Sequence, residues 1–184
     1  MIKTLKMAIA ATLFTATAAV AGGHGVFVGG FEMTKDKTIV ENASGSSDHT
    51  TLVAAITAAD LAGTLSGDGP FTVLAPINDA FAALPEGTVD TLLKPENKET
   101  LQTVLGCHAI AASAMAGDVL SLIEDGGGEA MLDTVGGCKL TVKYEDEKVM
   151  FMDENGGVAT VTIADAGSSN GVIHVIDSVL LPKQ

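Results

Sequence analysis

The second half of the chain alternates between apolar and polar positions with a period of two. Every second residue is apolar from Leu140 to Tyr144, and the alternation resumes at Val149 and Phe151 after a short turn. This period places neighbouring side chains on opposite faces of a strand, so the stretch predicts a hairpin with one wet side. A third alternating strand is predicted over residues 158–163.

Two other segments are almost continuously apolar. Residues 172–176 read Val-Ile-His-Val-Ile, and residues 71–75 read Phe-Thr-Val-Leu-Ala. Such runs are typical of strands buried on both faces, so 172–176 is predicted to be a central strand. Pro76 blocks continuation of the other strand. A shorter strand is predicted over residues 107–110.

The first half instead shows apolar residues at helical spacing. Helices are predicted after an N-cap at Asp48, after a cap at Asn78, after a cap at Thr88, around residues 101–105 and over residues 113–124. No segment repeats with a period of 20 to 50 residues. The pattern therefore predicts one α+β domain, helical first and mostly strand afterwards.

The N-terminus has the features of an export signal. Lys3 and Lys6 precede an apolar stretch, and Ala19-Val-Ala fits the small-residue cleavage pattern. The stretch is too short and too rich in Ala and Thr for a spanning helix. We therefore expect a signal peptide over 1–21, a flexible segment over 22–36 and a domain over 37–184, located in the periplasm or outside the cell. No membrane span is expected after signal removal.

Charge and cysteine content exclude some classes of binding partner and indicate a disulfide. Because Lys3 and Lys6 leave with the signal peptide, the formal net charge changes from −13 to −15, and the chain has no Arg. Binding to nucleic acid or to anionic lipid is therefore not expected. Export places Cys107 and Cys138 in an oxidising compartment, where we expect them to form a disulfide. No cofactor and no metal site are predicted.

The sequence contains no clear enzymatic or ion-binding motif. Residues 153–157 carry carboxylates beside glycines but lack the ligand spacing of a calcium loop, so a β-turn is predicted. The glycines at 126–128 follow a helix and do not form a phosphate loop. His108 and His174 fall on predicted strands and His49 on a helix start, with no arrangement that predicts a catalytic triad. No catalytic residue is predicted.

Two long strings resemble the signature segments of the fasciclin domain family. They are residues 71–81, Phe-Thr-Val-Leu-Ala-Pro-Ile-Asn-Asp-Ala-Phe, and residues 170–182, Asn-Gly-Val-Ile-His-Val-Ile-Asp-Ser-Val-Leu-Leu-Pro. Residues 38–43 look like the opening helix of the family, and Cys107-His108 stands where the family usually has Tyr-His. The resemblance covers about residues 37–182. It implies a wedge of about seven strands joined to a group of helices, with no enzymatic activity.

The resemblance also assigns structural roles and shows one departure. The residues expected to act as structural motif residues are Asn78, His108, Asn170, His174 and Asp177. Animal relatives have an integrin-contacting Asp-Ile before the second signature, whereas this chain has Asp165-Ala166, which argues against integrin binding. We expect an exported adhesion or surface-binding module whose partner is a protein or surface polymer. A periplasmic carrier of a small apolar ligand is the alternative, and a hydrolase ranks third.

Overall fold

The computed structural model describes residues 25–183, so the predicted signal peptide over 1–21 lies outside the described residues. The helices are α1 Ile39–Gly45, α2 Thr50–Ala58, α3 Ala62–Leu65, α4 Asn78–Ala82, α5 Thr88–Leu92, α6 Lys98–Cys107 and α7 Ala116–Asp125. The strands are β1 Val26–Val28, β2 Phe31–Met33, β3 Phe71–Pro76, β4 Ala109–Ile110, β5 Glu129–Asp133, β6 Lys139–Glu145, β7 Lys148–Met152, β8 Val158–Ser168 and β9 Gly171–Ile176.

The described part of the segment predicted to be flexible, 22–36, contains a hairpin. Strands β1 and β2 pair in antiparallel register, and Gly29 and Gly30 between them have positive φ values of 55° and 74°. Two consecutive left-handed residues form the tight turn that suits the twist of paired strands. Val28 and Met33 are buried against the helices, so we correct the expectation of flexibility for residues 26–33.

Seven strands form one sheet, and together with the helices they give an α+β wedge, in agreement with the predicted fold class. Their order in the sheet is β4-β3-β9-β8-β7-β6-β5, and β3 and β9 run parallel while the other pairs are antiparallel. Strand β9 is therefore central, as its continuous apolar run predicts. Strand β5 was not predicted.

Two hydrophobic cores lie on opposite faces of β3 and β9. Val73, Ala75, Ile173 and Val175 face a core built with helices from the first half of the chain. Leu74 and Ile176 face a second core, which includes residues of α7 and strands β6 to β8. Because neighbouring residues in a strand point to opposite faces, only a strand buried on both sides needs an almost unbroken apolar sequence.

The two edges of the sheet meet at a seam beside the disulfide. The N–H of Val135 donates to the carbonyl of Ala109 at 2.8 Å, and the N–H of Gly136 donates to Gly106 at 2.9 Å. A Cβ atom at Gly106 would lie 2.6 Å from the Cα atom of Gly136, so this backbone contact requires glycine. The sheet is therefore nearly closed.

The predicted disulfide is confirmed. Cys107 and Cys138 are bonded, with Cα atoms 5.2 Å apart, and both are buried. Cys107, however, is the last residue of α6 and does not open a strand. The helix extends through Cys107, which sequence analysis places in the following strand, and β4 begins only at Ala109. The disulfide thus joins the end of a helix to the start of β6.

Helix starts follow local capping rules in some places and tertiary contacts in others. Thr38 caps α1 through a capping box with Glu41, and hydrogen bonding to Thr38 lowers the pKa of the Glu41 carboxyl. Asp48 does not cap α2, contrary to the prediction. It lies within a 3₁₀ turn, Ser47–His49, whose cap is Ser46.

Candidate functional site

The two signature strings lie side by side at the centre of the molecule. Strands β3 and β9 pair in parallel from Phe71 and Gly171 to Pro76 and Ile176. Both strands are buried over nearly their full length. Of the polar residues predicted to be structural, Asn170 precedes this pair, Asn78 and Asp177 follow it, and His174 lies within β9.

Asn170 connects three elements at the start of the signature strands. Its Oδ1 accepts a hydrogen bond from the N–H of Ile39 at 3.0 Å, and its amide donates to the carbonyls of Leu65 at 2.8 Å and Gly67 at 2.9 Å. Its carbonyl accepts from the N–H of Phe71 at 3.1 Å. All the amide's described contacts are therefore with backbone groups of the fold.

His108 connects α6 to the second signature. It follows α6 as the C-cap residue, so its predicted place on a strand is wrong. Its Nδ1 donates to the carbonyl of Val104 at 2.8 Å, and its Nε2 accepts from the N–H of Leu180 at 2.9 Å. Burial lowers the pKa of His108 to about 4, although the Val104 carbonyl and the charge of Asp153 act in the opposite direction. The ring is held neutral, in one tautomer.

His174 lies on β9, as predicted, and has the opposite tautomer. Its Nε2 donates to the carbonyl of Ala114 at 2.9 Å, and its Nδ1 accepts from the N–H of Asp165 at 3.2 Å. Asp165 has a φ of 60° within an irregular part of β8, and its Oδ1 accepts from the N–H of Ala116 at 2.7 Å. The Asp165 carboxylate thus caps the first turn of α7, a role that sequence reasoning missed.

Asn78 caps a helix other than the one predicted. Ile77 occupies the N-cap position of α4, and the Oδ1 of Asn78 accepts from the N–H of Thr51 at 3.0 Å. Its amide donates to the carbonyl of Ser47 at 2.8 Å. Asn78 therefore satisfies a free donor in the first turn of α2, and it connects the first signature to that helix.

Asp177 fixes the end of β9 against β8. Its Oδ1 accepts from the N–H of Thr160 at 2.8 Å and from the hydroxyl of Ser178 at 3.1 Å. Its own N–H donates to the carbonyl of Thr160 at 3.2 Å. These contacts hold the residue after β9 against the backbone of β8.

Asp153 is a buried carboxylate whose role was also missed. Its Oδ1 accepts from the N–H groups of Asn155 at 2.9 Å and Gly157 at 2.8 Å, and its Oδ2 accepts from Leu181 at 2.9 Å. The segment forms the turn between β7 and β8, as the β-turn prediction required. Among residues 25–183, no group of three or more His, Cys, Asp and Glu side chains is placed to hold a metal ion.

A buried Ser-His pair lies near the start of α2. The Oγ of Ser46 is 3.0 Å from the Nδ1 of His49, and the side chains are 2% and 0% exposed. Burial lowers the pKa of His49, against weaker effects of the Ala75 backbone and Asp48. A substrate could not reach this pair without opening the fold, so the geometry does not support nucleophilic catalysis.

Two cavities test the carrier and surface-binding hypotheses. The space between α7 and the sheet, beside His174 and Phe151, measures about 10 Å³, which is enough for one water molecule at most. An open polar cleft of about 460 Å³ lies where the two signatures begin, lined by residues 68–70, Ser113 and residues 168–171. The first is far too small for an apolar ligand, and the second is too open and polar to enclose one.

The depressed pKa of His108 predicts that stability falls as the pH is lowered from 6.5 towards 4. In this range the unfolded chain binds a proton on the imidazole, whereas the folded state keeps the ring neutral. We expect the free energy of unfolding to drop by about 2 kcal/mol between pH 7 and pH 5 through this group. Urea denaturation at pH 7, 6 and 5 measures the change.

The matched control is His108→Asn, which has no ring to titrate at this position. The variant should lose less stability than the wild type over the same pH range. The remaining dependence of stability on pH includes a contribution from His49, whose lowered pKa acts in the same direction. An equal loss in both proteins would show that His108 is not the group responsible.

Comparison with known proteins decides the family. The model of the Fasciclin domain matches residues 47–182, most of the chain. The chain belongs to the fasciclin domain family. It is 51% identical over 150 residues to Protein sll1483 of Synechocystis sp., which covers 79% of this chain and 73% of that protein. It is 34% identical to transforming growth factor-beta-induced protein ig-h3 of Sus scrofa over 79% of this chain, but only 19% of that protein.

The fold agrees with this assignment. A solved fasciclin domain pair from the insect cell adhesion molecule fasciclin I superposes with a TM-score of 0.72 at 17% identity. The alignment covers 80% of this chain and 52% of that structure. Within the described residues of this fasciclin domain, no helix is both long enough and apolar enough to cross a membrane.

Proposed function

We propose that this fasciclin domain is an exported, non-catalytic adhesion module that binds a protein or a polymer at a cell surface or in a matrix. The proposal rests on the hydrogen bonds made by the residues predicted to be structural. Asn78, His108, Asn170, His174 and Asp177 all hydrogen-bond within the fold. The signatures therefore build a rigid scaffold, and partner contacts fall to the loops and exposed faces around it.

The same contacts argue against turnover. Both nitrogens of His108 and of His174 are engaged with backbone groups, so neither ring nitrogen is available to activate a hydroxyl or thiol nucleophile. Fasciclin domains are generally non-enzymatic. The small size of the apolar cavity beside His174 also disfavours the alternative of a carrier for an apolar ligand.

Export to the periplasm or the extracellular space is part of the proposal. Fasciclin domains typically occur in secreted or extracellular proteins, and the Cys107–Cys138 disulfide suits an oxidising compartment. The strongly acidic composition disfavours contact with other acidic surfaces. Binding to a cationic partner should weaken with added salt.

The test is a binding experiment with residues 22–184 immobilised and exposed to solubilised envelope from the producing cell. We expect retention of a protein or polymer that a heat-unfolded sample of the same domain does not retain. A broad hydrolase screen on the same preparation runs in parallel. Failure to retain any envelope component contradicts the proposal.

Catalytic turnover would also contradict the proposal, but only if this protein itself is the catalyst. The decisive controls are His108→Ala and His174→Ala, each checked for a folded state by circular dichroism. Activity that disappears in a folded variant would identify an enzyme. Activity that persists unchanged in both variants would point to other residues, and it too would contradict a non-catalytic role.

A further inference from the structure

Strand β5 is an open edge of the sheet within residues 25–183, the part of the chain that the structure describes. The other edge strand, β4, has only two residues, whereas β5 has five and pairs with β6 in a regular register without bulges. The Val135 and Gly136 contacts close the seam only beyond the end of β5. Glu129, Met131 and Asp133 are exposed, and Met131 is 67% accessible.

The register shows which backbone groups face outward. The N–H of Thr134 donates to the carbonyl of Cys138 at 3.0 Å, directly after the pair formed by Asp133 and Lys139. Hydrogen-bonded and non-hydrogen-bonded pairs alternate along an antiparallel ladder. Ala130 and Leu132 therefore bond to β6, and the backbone groups of Met131 and Asp133 point to the free edge, whereas the Glu129 carbonyl packs against Gly126.

The side chains on this edge are acidic on either side of one apolar residue. Glu129 and Asp133 flank Met131 on the outer face of the sheet. Across the ladder, Lys143 lies opposite Glu129 and Lys139 lies opposite Asp133, and the Lys143 Nζ is 2.9 Å from the Glu129 Oε2. The acids on β5 thus already have a lysine-bearing strand on one side.

A row of mainly apolar residues continues from Met131 across the outer face. The register aligns Met131 with Thr141, Thr141 with Met152, and Met152 with Val158. Val158 is 43% exposed. A new strand beside β5 would extend this row if it placed an apolar residue opposite Met131.

A second copy of the chain does not suit the edge. Antiparallel pairing of two β5 strands around Met131 would place Glu129 opposite the Asp133 of the other copy, twice, and parallel pairing would also oppose acids. Like charges directly opposite one another destabilise a strand pair. An acidic partner is excluded by the same argument.

We propose that β5 accepts an extended segment of a cationic protein partner as an added strand. The segment has Lys or Arg at positions opposite Glu129 and Asp133 and an apolar residue between them, opposite Met131. Its backbone completes the outward hydrogen bonds of β5, and its basic residues repeat the pairing that Lys139 and Lys143 make on the other side. This proposal rests on the proposed binding function and specifies its partner.

The experiment measures binding of a fluorescein-labelled peptide, Ser-Lys-Thr-Val-Thr-Lys-Ser, by fluorescence anisotropy. We expect saturable binding to the oxidised domain, residues 22–184. A peptide of the same composition with the lysines adjacent should bind about tenfold more weakly. So should a peptide N-methylated at Val, which cannot donate to the carbonyl of Met131.

Charge reversal on the protein provides the second arm. Glu129→Lys with Asp133→Lys should weaken peptide binding about tenfold, because two opposed ion pairs become repulsive. The matched control is Glu86→Lys with Asp90→Lys, two exposed acids near α5 that give the same change in net charge. This control should change the affinity less than about twofold.

Three results would overturn the proposal: equal affinity for the N-methylated peptide, equal weakening in both charge-reversed variants, or no binding of the original peptide. The first tests backbone pairing on the unaltered protein, so it does not depend on folding of a variant. If the peptide fails to bind while the domain still retains an envelope component, the β5 proposal is wrong and the proposed adhesion function stands.

Discussion

Replacing His108 with Ala is expected to lower the free energy of unfolding by about 3 kcal/mol. The change removes the hydrogen-bond partners of the Val104 carbonyl and the Leu180 N–H. Both residues are buried, so water cannot replace the ring without opening the fold. Each orphaned buried group costs about 1–3 kcal/mol. Urea denaturation at pH 7, where the imidazole is mostly neutral in the unfolded state as well, measures the difference.

Two conservative variants test the contacts with Val104 and Leu180 separately. An Asn at position 108 can present its amide near the Nδ1 position and keep the contact with Val104. A Gln can reach the Nε2 position and accept from Leu180. Each should retain part of the stability that Ala loses, because each leaves one fewer buried group unpaired. If all three variants are as stable as the wild type, His108 does not support the packing of the second signature.

Removal of the disulfide is expected to lower the free energy of unfolding by a similar or larger amount. The cysteines are 31 positions apart in sequence, and cross-linking a loop of this length restricts the unfolded chain by about 3.5 kcal/mol in the chain-entropy account. The Cys107→Ala, Cys138→Ala double variant should therefore unfold at a lower urea concentration than the oxidised wild type. Ala is the appropriate replacement because both positions are buried in apolar surroundings.

The wild type under reducing conditions is the control for this prediction. Once the disulfide is reduced, its stability should approach that of the double variant, since the two then differ only by two buried thiols. A double variant within about 1 kcal/mol of the oxidised wild type would contradict the prediction. Such a result would mean that the backbone contact of Gly106 with Gly136 holds the seam without help from the disulfide.

The parts of the fold that sequence analysis predicted are those with strong, local patterns. The alternation from Leu140 to Tyr144 gives β6, and the apolar run before Pro76 gives β3. The uninterrupted run in β9 even indicates its central place, because burial on two faces leaves no position for polar residues other than His174. The disulfide followed from compartment chemistry alone.

The errors arise where a side chain or strand depends on distant residues. Asn78 precedes a short helix and has the sequence of a local cap, but its amide reaches α2 instead. Strand β5 reads Glu-Ala-Met-Leu-Asp, with no β-branched residue to indicate a strand, and it exists because β6 pairs with it. His108 was placed on a strand because the two residues after it are apolar and lie in β4.

The place of β9 in the sheet has a consequence for the order of folding. It is the last strand in the described chain, yet it lies between β3 and β8 and is the only strand that joins the two parts of the sheet in its strand order. Until residues 171–176 have been synthesised, no strand lies between β3 and β8, and β4 meets the segment after β5 only at the seam. Pairing of segments so distant in sequence is slow to form. The sheet therefore cannot be completed before residue 176 has been synthesised, and under the proposed export this favours an extended chain during passage through an export channel.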